Sequence, residues 1–83
     1  MNDEILSKVV NEIAAMMGVP ASSLTPATTL AEIGMDSLEG LQLMIELEQL
    51  TQIQIEEPDM KHFTTIQSIV DLLTERFQKA ATA

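Results

Sequence analysis

No cysteine occurs anywhere in the 83 residues. Disulfides, thiolate metal ligands and a thiol nucleophile of the chain's own are therefore excluded. Aromatic residues are nearly absent too: Phe63 and Phe77 are the whole supply, too few for base stacking or an aromatic ligand cage. Positive charge is scarce, with four Lys and Arg against thirteen Asp and Glu and a formal charge of −9. Such a chain repels nucleic-acid phosphates and anionic membrane surfaces and is drawn to basic protein surfaces. No window approaches the ~18 apolar residues of a membrane span, and the opening MNDEILSKVV lacks a basic leader. Neither nucleic acid nor membrane insertion is expected, and the expected compartment is cytoplasmic.

What is present is aliphatic. Hydrophobic residues make up 46% of the chain, ample for a packed core rather than a disordered acidic tail. A chain of this size buries roughly 60–65% of its unfolded surface, enough for one small domain spanning residues 1–83 but not for a deep catalytic cleft.

Apolar positions Ile5, Leu6, Val9, Val10, Ile13, Ala14, Met16 and Met17 recur at helical spacing, with Asn2 and Asp3 as cap candidates and Gly18 and Pro20 as the stop. The stretch GVPASSLTPATTLAEIGM, residues 18–35, reads as an unusually long loop, which Leu24, Leu30 and Ile33 are placed to pin. Asp36 and Glu39 form a D-x-x-E capping pattern, so a second helix starts near Asp36 and runs to about Leu50, with Ser37 in its first turn. Ile53 and Ile55 alternate like a strand but have no second strand to pair with. An extended segment leading to a short helix, from near Pro58 to near Phe63, is expected instead. Thr64 and Thr65 are cap candidates for a last helix, with Gln67 as the reciprocal partner of Thr64 and Ile66, Ile69, Val70, Leu73 and Phe77 as its apolar stripe. Residues 79–83 read as a loose tail. The expected fold is all-α: a four-helix bundle of three main helices and one short one, with a long loop between the first two.

The second helix carries two apolar stripes. Leu38, Leu41 and Ile45 gather on one side, Leu43, Leu47 and Leu50 nearly opposite, and Glu39, Gln42 and Glu46 divide them. Either the helix is engulfed by its neighbours or one stripe serves a partner or a bound apolar group. Gly40, inside this helix, costs about 1 kcal/mol relative to alanine. It marks either a close approach by another group or a tolerated surface position.

Self-contained serine catalysis is not supported, because it needs a base and an oxyanion hole and His62, the sole histidine, belongs to another segment. Glu56, Glu57 and Asp59 lack closing ligands and the spacing of a calcium loop, so they read as a solvated acidic face and no metal is expected. The six methionines read as core gap fillers, with Met35 alone placed for a contact role. On composition and pattern alone, Ser37 is either a polar residue of the first helical turn or a functional hydroxyl.

The amphipathic first helix, the long loop, GMDSL opening a leucine-rich acidic second helix, and the final TTIQSIVDLL together resemble the acyl carrier proteins. By that resemblance Ser37 is the attachment point of 4′-phosphopantetheine, flanked by Asp36 and Leu38. The implied role is a non-enzymatic carrier that holds acyl intermediates as thioesters in fatty-acid or polyketide synthesis. The prosthetic arm would supply the thiol that the cysteine-free chain lacks. The implied partners are a phosphopantetheinyl transferase and acyl-processing enzymes, such as an acyltransferase or ketosynthase with basic docking patches. These would meet a monomer through Leu38, Glu39, Leu41, Gln42, Ile45 and Glu48, while Leu43 and Leu47 face the interior. The chain departs from the family at Gln42, commonly glutamate. It departs again at residues 49–52, QLTQ, where an acidic pair, phenylalanine and glycine are usual, and at Glu56, where proline is usual. GMDSL is closer to polyketide carriers than the GADSL of many fatty-acid carriers. The alternatives are an aminoacyl or peptidyl carrier, or a helical interaction module in which Ser37 is only structural.

Overall fold

A computed structural model describes residues 2–82. Helix α1, Asn2–Met17, begins one residue before the expected start, so Asn2 is itself helical and Asp3 and Glu4 lie in the first turn, where carboxylates favour the helix dipole. It ends at Gly18 in the left-handed region (φ 68°), with the Val19 N–H donating back to the Ala14 carbonyl at 3.1 Å, the bond pattern of a glycine-terminated helix. Val9 and Ile13 are fully buried on its inner face.

The long loop contains one 3-10 turn, Ala21–Ser23, and is pinned by Leu24, Leu30 and Met35, all buried, with Ile33 half-buried. Its backbone is tied to the start of the last helix. The Leu30 N–H donates to the Thr64 carbonyl at 2.9 Å, and the N–H groups of Ile66 and Gln67 donate to the carbonyls of Thr28 and Pro26 at 3.0 and 2.9 Å. Two of the donors that a helix N-terminus leaves without intrahelical partners are thus satisfied by the loop.

Helix α2, Ser37–Thr51, starts on the expected cap, Asp36. It ends at Gln52, which adopts φ 59°, the only non-glycine residue with positive φ among those described. Residues 52–56 are extended, with Ile53 and Ile55 buried and Gln54 exposed. The period-two pattern serves burial without any partner strand, as expected. The short helix, Glu57–His62, is of the 3-10 type and starts one residue before Pro58.

Helix α3, Ile66–Thr82, buries Ile66, Ile69, Val70, Leu72 and Leu73. Of the two cap candidates Thr65 is the one used, with Ser68 as its reciprocal partner: Thr65 Oγ1 accepts from the Ser68 N–H and Ser68 Oγ from the Thr65 N–H, both at 3.0 Å. Gln67 instead reaches Asp71 Oδ1 at 2.7 Å. Residues 79–82, expected as a loose tail, continue the helix, and Ala83 lies outside the described residues. Leu50 and Phe77, the last members of their apolar stripes, are each 47% exposed.

The fold is mostly helical, with three main helices and the short one. Helix α1 packs on both α2 and α3, whereas α2 and α3 make no close backbone contact with each other and are bridged by the short helix.

Candidate functional site

The site is built on the first turn of α2. Asp36 Oδ1 accepts the Glu39 N–H at 2.8 Å while Glu39 Oε1 accepts the Asp36 N–H at 3.1 Å, a complete capping box. Gly34, at φ 81°, turns the chain into this cap, and the Met35 N–H closes the turn on the Leu30 carbonyl at 3.0 Å. Ser37 is therefore the first helical residue, and it is exposed. No described residue hydrogen-bonds its hydroxyl. The Glu39 and Gly40 N–H groups are used by the Asp36 carboxylate and carbonyl. The N–H groups of Ser37 and Leu38 are left facing outward at the positive end of the helix, the arrangement that receives a phosphate oxygen.

Ser37 stands on the rim of an open groove of ≈ 690 Å³ whose floor is apolar: Leu30, Met35, Leu41, Met60 and Phe63, with Gly40 and Glu57 also lining it. A groove of similar size, ≈ 660 Å³, beside Gln52 and Phe77 shares none of these residues. Gly40 is buried rather than on the surface, and a side chain there would meet Met60 Cε at 3.3 Å. A side chain at Gly40 would crowd the Met60 methyl, which would have to shift by a few tenths of an ångström.

The two stripes of α2 separate, though not along the expected line. Leu43 and Leu47 are fully buried and Met44 joins them, while Leu38 is 73% exposed, Gln42 is exposed, and Ile45 is 45% exposed. Leu41 is half-buried and lines the groove, whereas Leu38 and Ile45 are exposed. Glu39 and Glu48 are both half-buried and bonded to backbone. Glu48 Oε2 accepts the Ile55 N–H at 3.1 Å, holding the extended segment to α2.

Asp59 corrects the expectation of a solvated acidic face. It is buried, and its carboxylate takes both arms of the Arg76 guanidinium, at 2.9 and 2.6 Å, and the Glu56 N–H at 2.9 Å. The hydrogen bond from Arg76, then that from the Glu56 N–H, holds the Asp59 carboxyl below its usual range. Among the described residues no group of His, Asp and Glu could hold a metal ion, and no helix is long and apolar enough to cross a membrane.

Sequence reasoning placed Ser37 and Asp36 together and missed the facing wall of the groove, Met60 and Phe63, and the Asp59–Arg76 pair. The latter residues stand 17 positions apart, beyond any local pattern.

The family described as "Phosphopantetheine attachment site" matches residues 7–73. The acyl carrier protein of Onion yellows phytoplasma (strain OY-M) is 35% identical over 72 residues, covering 86% of this chain and 95% of that protein. The acyl carrier protein of Chlorobium phaeobacteroides is 30% identical over 74 residues, covering 88% and 95%. In fold, the crystal structure of an acyl carrier protein from Thermotoga maritima superposes with a TM-score of 0.81 at 18% identity, covering 95% of this chain and 93% of that one.

Proposed function

Since the chain belongs to the acyl carrier proteins, non-enzymatic carriers that work with phosphopantetheine, we propose that Ser37 bears the arm and that the groove beside it receives part of the cargo. The observation that carries this reading is the exposed, unbonded Ser37 hydroxyl at a capped helix N-terminus. When bound, the prosthetic group supplies a thiol for thioester formation, which no residue of the chain can supply.

The rest is the work of the chain itself. The Asp36–Glu39 box fixes the first turn, so the hydroxyl is held outward for a transferase that brings its own base and metal. The N–H groups of Ser37 and Leu38, at the positive end of α2, would hold a phosphodiester on Ser37, while the Asp36 carboxylate is engaged by the Glu39 N–H. Leu38 and Ile45, exposed on α2 and flanked by Gln42, form an apolar surface on a chain of net charge −9. Basic patches of acyl-processing enzymes are its fitting partners, for fatty-acid or polyketide intermediates. The apolar groove floor favours an aliphatic acyl cargo over a charged aminoacyl one.

The test is incubation with coenzyme A, magnesium and a broad-specificity phosphopantetheinyl transferase. Intact mass should show one added phosphopantetheine in the wild type and none in a folded Ser37→Ala variant. Modification that persists in Ser37→Ala places the site elsewhere.

A further inference from the structure

The short helix Glu57–His62 has two working faces. Toward α2 it presents Glu57 and Met60, followed in the chain by Phe63, as the wall of the groove, with Met60 Cε lying 3.3 Å from where a Gly40 side chain would begin. Toward α3 it presents Asp59, which receives both arms of the Arg76 guanidinium at 2.9 and 2.6 Å and is almost fully buried. Arg76 also points Nη1 at the Gln54 carbonyl at 3.5 Å, so the extended segment, the short helix and α3 converge on one side chain.

A six-residue 3-10 helix has little stability of its own. Among the described residues α2 and α3 make no close backbone contact with each other, and the short helix that touches both also supplies the groove wall facing α2. Among the described residues the Asp59–Arg76 pair is the only bidentate ion pair, and it is far less exposed than the two surface pairs, Glu4–Lys8 and Glu75–Lys79.

We propose that Asp59 and Arg76 form a latch that holds the short helix against α3 and α2, fixes Met60 over Gly40, and so sets the size of the acyl group admitted beside Ser37. Both are positioning residues: neither lines the groove next to Ser37, and both act through Met60 and Phe63. With the latch closed the groove is narrow at Gly40. With it released the wall moves off α2 and a longer aliphatic chain is sheltered. The last step rests on the reading that Ser37 carries the arm, whereas the mechanical step does not.

The experiment therefore has two arms, each using the full chain as wild type, Arg76→Gln, Arg76→Lys and Asp59→Asn. In the unloaded protein, the Met60 methyl to Gly40 Hα nuclear Overhauser contact is expected in the wild type and lost in Arg76→Gln. Amide exchange over residues 59–63 should become about tenfold faster relative to the α1 amides, the mark of local rather than global opening. In the loaded protein, butyryl and dodecanoyl thioesters are cleaved with hydroxylamine. The dodecanoyl-to-butyryl rate ratio should fall about threefold in Arg76→Gln as the released groove shelters the longer chain, with Arg76→Lys, which keeps the charge but not the fork, in between. A pair that merely stabilises the fold would speed exchange in α1 and residues 59–63 alike and leave the ratio unmoved, which overturns the proposal. A Met60–Gly40 contact that survives in both Arg76→Gln and Asp59→Asn overturns it as well. If the wild type accepts no phosphopantetheine, the Ser37 reading fails and the unloaded arm still decides whether the latch exists.

Discussion

Asp36 and Glu39 exchange hydrogen bonds across the first turn of α2, each carboxylate accepting the other's backbone N–H. Glu39 is therefore a structural residue as well as a charge on the proposed docking side, and Glu48, bonded to the Ile55 N–H, is the same. Glutamine keeps an acceptor at either position and removes the charge. Glu39→Gln and Glu48→Gln should melt close to wild type and lose part of the salt-sensitive rate of partner transfer. Glu39→Lys and Glu48→Lys should also lose stability, by about 0.5–1.5 kcal/mol each. Thermal melts combined with transfer rates at two ionic strengths separate the effects, and lysine variants that melt like wild type would leave both hydrogen bonds without weight.

The α2 leucines should sort by burial. Leu47→Ala removes a fully buried side chain and should cost about 2–5 kcal/mol. Leu41→Ala, half-buried over the groove, should cost about 1–2 kcal/mol. Ile45→Ala should change denaturant melts little and act on partner transfer, since an exposed apolar anchor contributes only when covered. Equal destabilisation at all three positions would mean that α2 has no free face.

Gln52 ends α2 with φ 59°, a conformation that costs an L-residue about 1–2 kcal/mol and glycine almost nothing. Its side chain recovers part of this through Nε2, which donates to the Gln49 carbonyl at 2.9 Å. Gln52→Gly should raise unfolding stability by about 0.5–1 kcal/mol. Urea melts of the two proteins test it, and a loss of stability would show that the side-chain bond outweighs the strain.

Acid should open the latch. The Asp59 carboxyl has a pKa below its ordinary value of 3.8, held there first by Arg76 and then by the Glu56 N–H. The unfolded chain therefore takes up this proton before the native one does. The stabilising contribution is fully present above about pH 4–5 and is lost as pH falls through the lowered native value. The Asp59 contribution is isolated by the wild-type minus Asp59→Asn difference in melting temperature. It should be constant near neutrality and shrink below about pH 4. A difference unchanged down to pH 2 would show that the Asp59 charge does not stabilise the fold.

What the sequence determined by itself was local. The stop of α1 at Gly18, the cap of α2 at Asp36, Ser37 in its first turn, and an extended segment at Ile53 and Ile55 were all legible. Each depends on residues within a few positions of one another, where hydrogen-bond reach and side-chain periodicity are set by the backbone alone. The family resemblance at GMDSL extended the same local information to the arm. What only the tertiary structure decided was everything that required a neighbour from elsewhere in the chain. A helical wheel gives the angle of a side chain but not how far the adjoining element extends along the axis. Leu50 and Phe77 thus belong to apolar stripes yet lie half open to solvent, and Leu41, grouped by the wheel with Leu38 and Ile45, is half-buried over the groove. Of the cap candidates Thr64 and Thr65 it is Thr65 that caps α3, with Ser68 rather than Gln67 as the reciprocal partner, in a segment where loop carbonyls of Pro26 and Thr28 already hold the first N–H groups of the helix. Gly40 proved to be an approach point only once Met60 was seen above it. Asp59 looked solvated in EEPDMKH because its partner, Arg76, lies on another helix. Burial of a charge is stable only with such a partner in place, and the partner is supplied by the fold.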